Sequence, residues 1–342
     1  MSHIVPELGI SMPERTEVST KEMLTARRGL AGKWFVRTNY SSISIVQSCM
    51  RKAQLSLKEG YRTKAESPAL VFGTAVHKAL EVFYTGEREE RILPTNFAKN
   101  ADLILADANQ SDELVYRAIR AFVHQAEPLR ALPDTDKRSL SSGVWLLTHY
   151  LTSYIDDPFV IMRDERGPLT ERFCEAVLFD SAELQITYFG TLDVILQNAA
   201  TGVILPGDHK TSSVVGNDFY ARLKPNHQYS GYVWLAQNAL KLECDAFLVN
   251  CLQVKARPLT ARGGPPQFPR QVTKRTVADL SEFREAVIWA VRQYVTALET
   301  GVWPIGEVNS CAMYGGCQYL PVCSSPAEIR ANVLDASFLK GN

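Results

Sequence analysis

The stretch 190-GTLDVILQNAATGVILPGDHKTSS-213 contains two apolar runs, and the second ends in an Asp-His-Lys triplet. The runs are rich in β-branched residues and are separated by the turn-like segment NAATG, which predicts two antiparallel strands. Side chains two apart in a strand share a face, so Asp208 and Lys210 are expected to point together while His209 points to the other side. Taken alone, a D-x-K pattern is more often a charged strand end than a site.

Asp193 changes this interpretation, because a carboxylate in an otherwise apolar strand needs a partner. If the turn centres near residues 199 and 200, Asp193 lies opposite Pro206 and has Asp208 as its diagonal neighbour, about 7 to 8 Å away. Two such carboxylates suit Mg²⁺ or Mn²⁺, which retain waters and leave room for a phosphate oxygen. Lys210 would orient or deprotonate the attacking water, or stabilise the charge of the transition state.

The surrounding sequence predicts a mixed α/β domain. ERFCEAVLFD, from residue 171, adds a strand before the two already described, and DAFLVNCLQVKA predicts another after the helix NHQYSGYVWLAQNALKL. A long amphipathic helix follows Thr276, a candidate N-cap. No G-x-x-x-x-G-K-[ST] phosphate loop occurs in the sequence, so an ATP-driven motor would have to lie on another chain.

The N-terminal half is predicted to be mainly helical. Residues 1–38 have weak periodicity and are expected to form a flexible arm, and a helix is expected from residue 39 with Ser41 or Ser42 as its N-cap. SPALVFGTAVHKALEVFYTG predicts a second helix with an apolar stripe. Residues 88–168 are expected to be a helical insertion, residues 303–325 a cysteine-rich end and residues 326–342 a C-terminal tail.

Two helices carry further candidate residues. His77 and Glu81 are four apart and share a helix face near the apolar stripe, and Gln228 and Tyr232 are spaced in the same way. An amide and a phenol can hydrogen-bond phosphates and stack on a base. Considered alone, a helical histidine is more often a satisfied surface or core residue, and a helical tyrosine is more often part of the core.

Seven cysteines without a secretory signal argue against a disulfide framework. Three of them are separated by two gaps of five residues, in CAMYGGCQYLPVC, and a fourth ligand from the first helix would complete a zinc or iron–sulfur site. That set is Cys49, Cys311, Cys317 and Cys323. The other three, Cys174, Cys244 and Cys251, lie in or next to predicted strands and are expected to be small buried hydrophobic residues.

The overall composition excludes few classes of protein. The 342 residues are 46% hydrophobic and 22% charged, which is ordinary globular composition, and Lys plus Arg and Asp plus Glu both number 37. The N-terminus has scattered charges and no apolar core segment, and no run approaches the roughly 18 apolar residues of a membrane span. A soluble cytoplasmic protein of a bacterial or phage-infected cell, with no membrane partner, is therefore the expectation.

Together these motifs resemble the RecB-like branch of the PD-(D/E)XK nuclease superfamily, especially phage and CRISPR-associated exonucleases and AddB-type nuclease domains. The resemblance covers about residues 39–325. It rests on GTAVHKALE, GTLDVIL, GDHK, QYSGY and the one early and three late cysteines, in order and spacing. It implies a restriction-endonuclease-like α/β fold, with a mixed central sheet flanked by helices and an iron–sulfur clamp joining the N- and C-terminal parts.

The resemblance also implies roles for individual residues. His77, Asp193 and Asp208 would ligate Mg²⁺ or Mn²⁺, and the backbone carbonyl of His209 would add a ligand. Lys210 would be the catalytic lysine. The acidic residue of the D-x-K element is aspartate where many relatives have glutamate, an exchange that the superfamily tolerates.

Around that set, the resemblance implies DNA contacts from Gln228 and Tyr232 and support for the metal ligands from Glu81 and Glu175. It further implies a four-iron four-sulfur cluster, held by the thiolates of Cys49, Cys311, Cys317 and Cys323. Many relatives have a C-x-x-C step among the late cysteines, whereas both gaps here contain five residues. Zinc is therefore the alternative to the cluster.

The function predicted on these grounds is that of a metal-dependent DNA nuclease. It would be an exonuclease on single-stranded or frayed DNA ends in recombination, repair or phage DNA processing, with DNA as its substrate and a helicase, annealing protein or other recombination subunit as partner. Two alternatives belong to other classes. One is a DNA-binding or assembly subunit that cuts little, and the other is a zinc-stabilised structural protein.

Overall fold

A central sheet of eight strands organises the chain. The computed structural model describes residues 24–64, 67–95, 97, 104, 108, 111–258, 264–312 and 316–341. The strands in the described residues are β1 Leu24–Arg28, β2 Trp34–Thr38, β3 Tyr61–Thr63, β4 Phe159–Ile161, β5 Arg163–Asp164, β6 Gly167–Pro168, β7 Thr170–Asp180, β8 Leu184–Asn198, β9 Ile204–Ser212, β10 Ala246–Gln253, β11 Arg270–Lys274 and β12 Phe338–Lys340.

The sheet is mixed, as predicted. Its strands follow the order β1-β2-β8-β9-β10-β11, and β4 and β7 also pair with β8. The β2–β8 and β9–β10 pairs are parallel and the other pairs are antiparallel. Strands β7, β8 and β9 form the predicted antiparallel meander.

Helices cover both faces of this sheet. Those in the described residues are α1 Tyr40–Ser48, α2 Met50–Ala53, α3 Pro68–Thr85, α4 Leu114–Gln125, α5 Leu140–Ser153, α6 Asn217–Ala221, α7 His227–Asn238, α8 Val277–Thr300, α9 Val308–Ala312, α10 Leu320–Ser324 and α11 Arg330–Ser337. None of them combines the length and the apolar character needed to cross a bilayer.

The helix caps follow local sequence. Helix α8 begins at the predicted N-cap Thr276, whose side chain exchanges hydrogen bonds with Asp279 in a capping box. Helix α1 begins earlier than predicted, because the side chain of Asn39 accepts a hydrogen bond from the backbone N–H of Ser42. Helix α3 begins after Ser67, which caps it in the same way.

Two apolar layers lie on the two faces of the sheet. One joins the sheet to α3, α4 and α5 through residues that include Phe72, Phe83, Phe122, Leu147 and Leu248. The other joins it to α1, α7 and α8 through residues that include Ile43, Ile186, Leu235, Phe283 and Val291. The apolar stripes of α3 and α8 therefore face opposite sides of one sheet.

The N-terminal region differs from the expectation of a flexible arm. Residues 24–38 form the hairpin of β1 and β2, and Val36 of β2 pairs in parallel with Ile186 of β8. This contact joins segments about 150 residues apart, so no local pattern predicts it. The rest of the expected arm, residues 1–23, lies outside the described residues.

The predicted insertion and tail both pack against the rest of the chain. Helices α4 and α5 lie within residues 88–168, although most of 98–110 is outside the described residues. In the predicted tail, α11 leads to β12, which pairs with β3 near the N-terminal helices. A small apolar cluster supports this pairing and consists of Leu55, Tyr319, Val322, Leu334 and Phe338. Protein contacts thus join the C-terminal segment to β3.

Candidate active site

Strands β8 and β9 bring two aspartates together. Ile195 pairs with Pro206, whereas the sequence predicted Asp193 at that position. The turn centres one residue later than predicted, because Asn198 Oδ1 accepts hydrogen bonds from the N–H groups of residues 200 and 201. In this register Asp193 and Asp208 occupy facing positions, so they are direct neighbours rather than diagonal ones.

The two strands separate at these aspartates. The N-terminal half of β8 continues along β2, while β9 continues along β10. Across the opening, Asp193 Oδ2 accepts a hydrogen bond of 2.9 Å from the backbone N–H of His209. Helix α3 contributes His77 to the same opening, so residues from two strands and one helix meet here.

His77 contacts both strands. Its Nε2 lies 2.6 Å from the carbonyl oxygen of His209, and its Nδ1 lies 3.3 Å from Asp193 Oδ2. A carbonyl only accepts, so Nε2 donates the proton and the Nδ1 lone pair faces the carboxyl group. Burial lowers the pKa of His77 despite the nearby charge of Asp208. His77 is therefore a neutral imidazole with a free nitrogen directed at the acidic pair.

The two aspartates ionise differently. Burial, followed by the charge of Asp208, raises the pKa of Asp193 well above its ordinary value. Burial also opposes the ionisation of Asp208, but the ammonium of Lys210 and a hydrogen bond from Asp193 outweigh it and lower the pKa of Asp208. The pair therefore holds one proton on Asp193 beside an ionised Asp208.

The residues present fit a divalent cation. One ligand atom from each of His77, Asp193 and Asp208 lies within 4.8 Å of the others, and this is the one such group of His, Cys, Asp and Glu in the described part of the chain. Opposite ligands of octahedral Mg²⁺ stand about 4.2 Å apart, given metal–oxygen distances near 2.1 Å. Only a small closure of the three ligand atoms is needed to reach such distances.

Lys210 completes this group from the same face of β9 as Asp208. Its Nζ lies 2.5 Å from Asp208 Oδ2, and the aspartate side chain is only 2% exposed. That oxygen forms no hydrogen bond of good geometry with the described residues, so its contact with Lys210 is an ion pair. Burial opposes the charge on Lys210, but Asp208 more than compensates and raises the pKa of the ammonium. The predicted pairing of acid and lysine on one face is present.

His209 points to the opposite face, as predicted. Its Nδ1 lies 2.7 Å from the amide nitrogen of Asn250, and its ring stacks on Tyr84 with centroids 5.5 Å apart. The amide donates, so Nδ1 accepts. Burial lowers the pKa of His209 to about 3. The side chain is therefore a neutral structural group, and His209 reaches the site only through its backbone N–H and carbonyl.

A buried polar network, not predicted from the sequence, supports His209. Asn250 also donates to the Tyr150 hydroxyl at 2.6 Å. Arg270 Nη2 contacts the Tyr84 hydroxyl at 2.7 Å and pairs with Asp157 Oδ2 at 2.6 Å. The one sequence signal for it is polar residues in strands and helices that are otherwise apolar. This network supports β9 on the face opposite the side chain of Asp208.

Gln228 and Tyr232 lie together on α7, on the side of the sheet opposite α3. Gln228 Nε2 donates to the Tyr232 hydroxyl at 3.2 Å, and the Tyr232 ring stacks on Phe247 with centroids 5.5 Å apart. Burial, then the charge of Asp208, raises the pKa of Tyr232, with Lys210 opposing this shift. The pair is therefore close enough to the acidic group to feel its charge.

The two predicted supporting glutamates lie elsewhere on the surface. Glu81 forms an ion pair of 2.6 Å with Lys78 on α3. Glu175 pairs with Arg37 at 2.9 Å and lies opposite Phe189, four residues from Asp193, or about 13 Å along the strand. Neither belongs to the group of atoms that fits a cation, and Glu175 is too far along β7 to touch that group.

Glu171 is a site residue that the sequence did not single out. The register of β7 on β8 places it opposite Asp193, and its φ of 43° is in the left-handed region that non-glycine residues rarely adopt. Burial, then the charge of Glu81, raises its pKa to about 7. Strained backbone of this kind concentrates at functional sites, but this signal is visible only in the structure.

The four predicted cluster cysteines lie in one region. The backbone N–H of Gly306 donates to Cys49 Sγ at 3.2 Å, and that of Cys317 donates to the Cys311 carbonyl at 2.7 Å. Burial and the neighbouring thiols raise the pKa of Cys323. However, the sulfurs do not form a group within 4.8 Å in the part of the chain that is described, whereas tetrahedral zinc needs about 3.8 Å between sulfurs. No closed cysteine cluster therefore supports the expected clamp.

The remaining cysteines lie where the strand pattern predicted. Cys174 in β7 and Cys251 in β10 are buried, and Cys244 lies just before β10 and is partly buried. Burial raises the pKa of Cys174 to about 12 and that of Cys251 to about 11. These thiols are unreactive, as expected of small buried hydrophobic residues.

Comparison with known protein families agrees with this geometry. The profile of the PD-(D/E)XK nuclease superfamily matches residues 37–324, which is most of the chain. The chain belongs to the PD-(D/E)XK nuclease superfamily. A search of curated proteins finds no significant match. Superfamily members are in general metal-dependent phosphodiesterases that act on nucleic acids, and in this member the group of His77, Asp193 and Asp208 lies within the matched region.

Proposed function

We propose that this PD-(D/E)XK protein is a metal-dependent DNA exonuclease of the RecB-like branch. It acts on single-stranded or frayed DNA ends in recombination, repair or phage DNA processing. The observation that carries the proposal is the buried group of His77, Asp193 and Asp208, with Lys210 2.5 Å from Asp208. A protein that only binds DNA has no need of a lysine paired with a buried carboxylate beside two further metal-ligand side chains.

Three side chains would form the metal site. His77, Asp193 and Asp208 hold Mg²⁺ or Mn²⁺, and the carbonyl of His209 lies beside them as a candidate fourth ligand. The bound ion supplies Lewis-acid activation of the phosphate and a lower pKa for an attacking water. Because the pKa of Asp193 is raised, this carboxyl must release its proton before the ligand set is complete.

Lys210 stabilises charge rather than accepting a proton. Asp208 raises the pKa of its ammonium, so the lysine stays protonated and is a poor general base. A cation fixed next to the metal ligands is well placed to stabilise the negative charge that develops on the phosphate during hydrolysis. Of the roles predicted for Lys210, the geometry therefore favours charge stabilisation.

DNA would lie across the opening between β8 and β9, which has α3 on one side of the sheet and α7 on the other. Gln228 and Tyr232 lie on the α7 side and offer an amide and a phenol to a phosphate or a base. On the α3 side, Glu171 lies opposite Asp193 and Glu81 lies nearby. We propose that these two glutamates position ligands or water at the rim, and that Glu175 supports the site only through Arg37.

The test is a comparison of two lysine variants. In Lys210→Ala, hydrolysis of labelled DNA with Mg²⁺ or Mn²⁺ is expected to fall by about 10² to 10³. Lys224→Ala is the matched control, because Lys224 Nζ also lies 2.5 Å from a carboxylate, that of Asp279, but in an exposed pair. Unchanged cleavage by Lys210→Ala would refute the mechanism.

The same assay distinguishes an exonuclease from a DNA-binding subunit. Substrates labelled at the 5′ or 3′ end, single- and double-stranded, give product ladders that show direction and strand preference. Loss of cleavage in chelator is expected for the wild type. If the protein binds these substrates but cleaves none with either metal, the nuclease proposal fails and the protein is a DNA-binding subunit.

We further propose that Cys49, Cys311, Cys317 and Cys323 close around a four-iron four-sulfur cluster. Their common region and the N–H of Gly306 that donates to Cys49 Sγ support this. A four-iron cluster is wider than a single ion, so its thiolates stand farther apart than those of a zinc site. Iron and acid-labile sulfide in anaerobically purified protein are the expected result, and zinc without iron would refute it.

Duplex DNA has to be opened or frayed before an enzyme that acts on single-stranded ends can use it. The sequence contains no phosphate loop of the G-x-x-x-x-G-K-[ST] type with which to drive strand separation. We propose that a helicase, an annealing protein or another recombination subunit supplies single-stranded ends. Co-purification of the nuclease with such a partner, and faster digestion of duplex DNA in its presence, are the expected observations.

A further inference from the structure

One face of the sheet beyond α3 carries alternating aromatic and guanidinium groups. We call it the aromatic–basic face, and it consists of Arg27, Phe35, Arg37, Phe173 and Phe189. Three adjoining strand pairs bring these residues together, since Arg27 of β1 lies opposite Phe35 of β2, β2 pairs with β8, and β8 pairs with β7. The β1–β2 and β7–β8 pairs are hairpins, and the β2–β8 pair joins segments distant in sequence.

The opposite face of the same strands packs into the apolar core. Side chains alternate between the faces of a strand, and Val36, Cys174, Ile186 and Tyr188 all belong to the apolar layer under α1, α7 and α8. The neighbouring positions along β2, β7 and β8 therefore point away from that layer. Phe173 is 41% exposed, so the aromatic–basic face is open to solvent at its β7 edge.

The guanidinium groups lie over the rings. Arg37 Cζ is 4.0 Å from the centroid of Phe189 and 5.4 Å from that of Phe173, and Arg27 Cζ is 5.1 Å from the centroid of Phe35. The rings of Phe173 and Phe189 are 6.0 Å apart and inclined at 36°. Stacked cations and rings of this kind present flat surfaces together with positive charge.

This face leads to the acidic site. Phe189 and Asp193 are four residues apart on β8, and Asp193 Oδ2 lies 3.3 Å from His77 Nδ1 of α3. The distance along the strand is about 13 Å. Arg37 is partly neutralised by Glu175, at 2.9 Å. Within the described residues, no carboxylate forms an ion pair with Arg27, so the far end of the face keeps a positive charge.

We propose that the aromatic–basic face is a binding track for single-stranded DNA that feeds the site at Asp193. The proposal rests on the proposed nuclease function and adds the path of the strand. Flat rings and guanidinium planes suit unpaired bases, whose faces are exposed, whereas duplex DNA presents its phosphates and groove edges. The free charge of Arg27 complements the phosphate backbone, and continuity with Asp193 gives the track a direction.

Binding of a labelled oligothymidine in chelator, where no cleavage occurs, tests the track. In Phe173→Ala the Kd is expected to rise about five-fold or more, the effect of losing one stacked base, and Phe173→Trp should restore binding. In Arg27→Ala the dependence of log K on log salt should become shallower by about 0.7, the loss of one phosphate contact on a single strand. A merely structural effect would not change the salt dependence.

Two variants on the opposite face are the controls. Trp289 is 64% exposed and Arg292 is exposed, both on α8, so Trp289→Ala and Arg292→Ala should bind DNA as the wild type does. If Phe173→Ala and Arg27→Ala also bind as the wild type does, the track is refuted, and the face serves something else, such as a protein partner.

A short substrate separates this proposal from the proposed function. A dinucleotide cannot span the 13 Å or so to Phe189, so its cleavage with Mg²⁺ should be equal in Phe173→Ala and wild type, while the KM for a long oligonucleotide rises. An equal loss of cleavage on both substrates would refute the binding track but not the proposed nuclease function. Undiminished cleavage by Lys210→Ala would instead overturn the catalytic mechanism, whatever Phe173 does.

Discussion

Replacing His209 by asparagine is expected to make the protein less sensitive to acid. The pKa of His209 is lowered to about 3 by burial, whereas an unfolded histidine has a pKa of about 6.5. Below pH 6.5 the unfolded chain therefore takes up a proton that the folded chain refuses. Stability from this residue is complete above pH 6.5 and is lost progressively as the pH falls towards 3.

The size of the effect follows from these two pKa values. At pH 5 the neutral His209 should cost the wild type about 2 kcal/mol of unfolding free energy relative to pH 8. Asparagine does not titrate, and its side-chain oxygen can still accept the hydrogen bond that Asn250 donates to Nδ1. The variant should therefore lack this loss, even if it is less stable at pH 8 because the contact with Tyr84 is smaller.

The measurement is urea unfolding of both proteins in chelator at pH 8, 6.5 and 5. All other titrating groups are shared, so the change in the difference between the two proteins from pH 8 to pH 5 isolates His209. Parallel losses of stability in wild type and variant would refute the assignment of a neutral, buried His209. DNA cleavage at pH 8 should survive in the variant, because His209 reaches the site through backbone atoms.

Three further variants test the fold and the site. Asn250→Leu removes the donor to His209 Nδ1 and the acceptor of Arg270 Nε, while the Tyr150 hydroxyl keeps its contacts with Tyr84 and Arg270. The variant should lower the unfolding free energy by about 2 to 4 kcal/mol, measured in urea. Saturating Mg²⁺ should raise the melting temperature of the wild type but not of Asp208→Asn, and an equal rise in both would place the ion elsewhere. Thr276→Ala breaks the capping box of α8 and should cost about 1 kcal/mol, with cleavage unchanged.

Local sequence determined the elements and much of the site chemistry. Two runs rich in β-branched residues around the turn-like segment NAATG predicted β8 and β9. The two-residue spacing of Asp208 and Lys210 placed them on one face, because the strand period is two. The capping box of Thr276 and the i, i+4 spacing of Gln228 and Tyr232 are equally local, and the structure has both. These features need no knowledge of the rest of the chain.

The tertiary structure decided what depends on distant contacts. Strand β2 belongs to the sheet because of its parallel pairing with β8, so residues 24–38 could not be distinguished from an arm by their own pattern. The facing positions of Asp193 and Asp208 depend on how Asn198 closes the turn, and a register shift of one residue would change which residue faces Asp193.

The sequence alone also could not predict which side chains carry a charge. The neutral form of His209 follows from burial against Tyr84 and Asn250, and the raised pKa of Asp193 follows from burial beside Asp208. Glu171 could not be selected over Glu175 by sequence, because only the strand register places it opposite Asp193. Residue types and spacing thus determined which groups were available, and long-range packing decided which of them meet and which carry a proton.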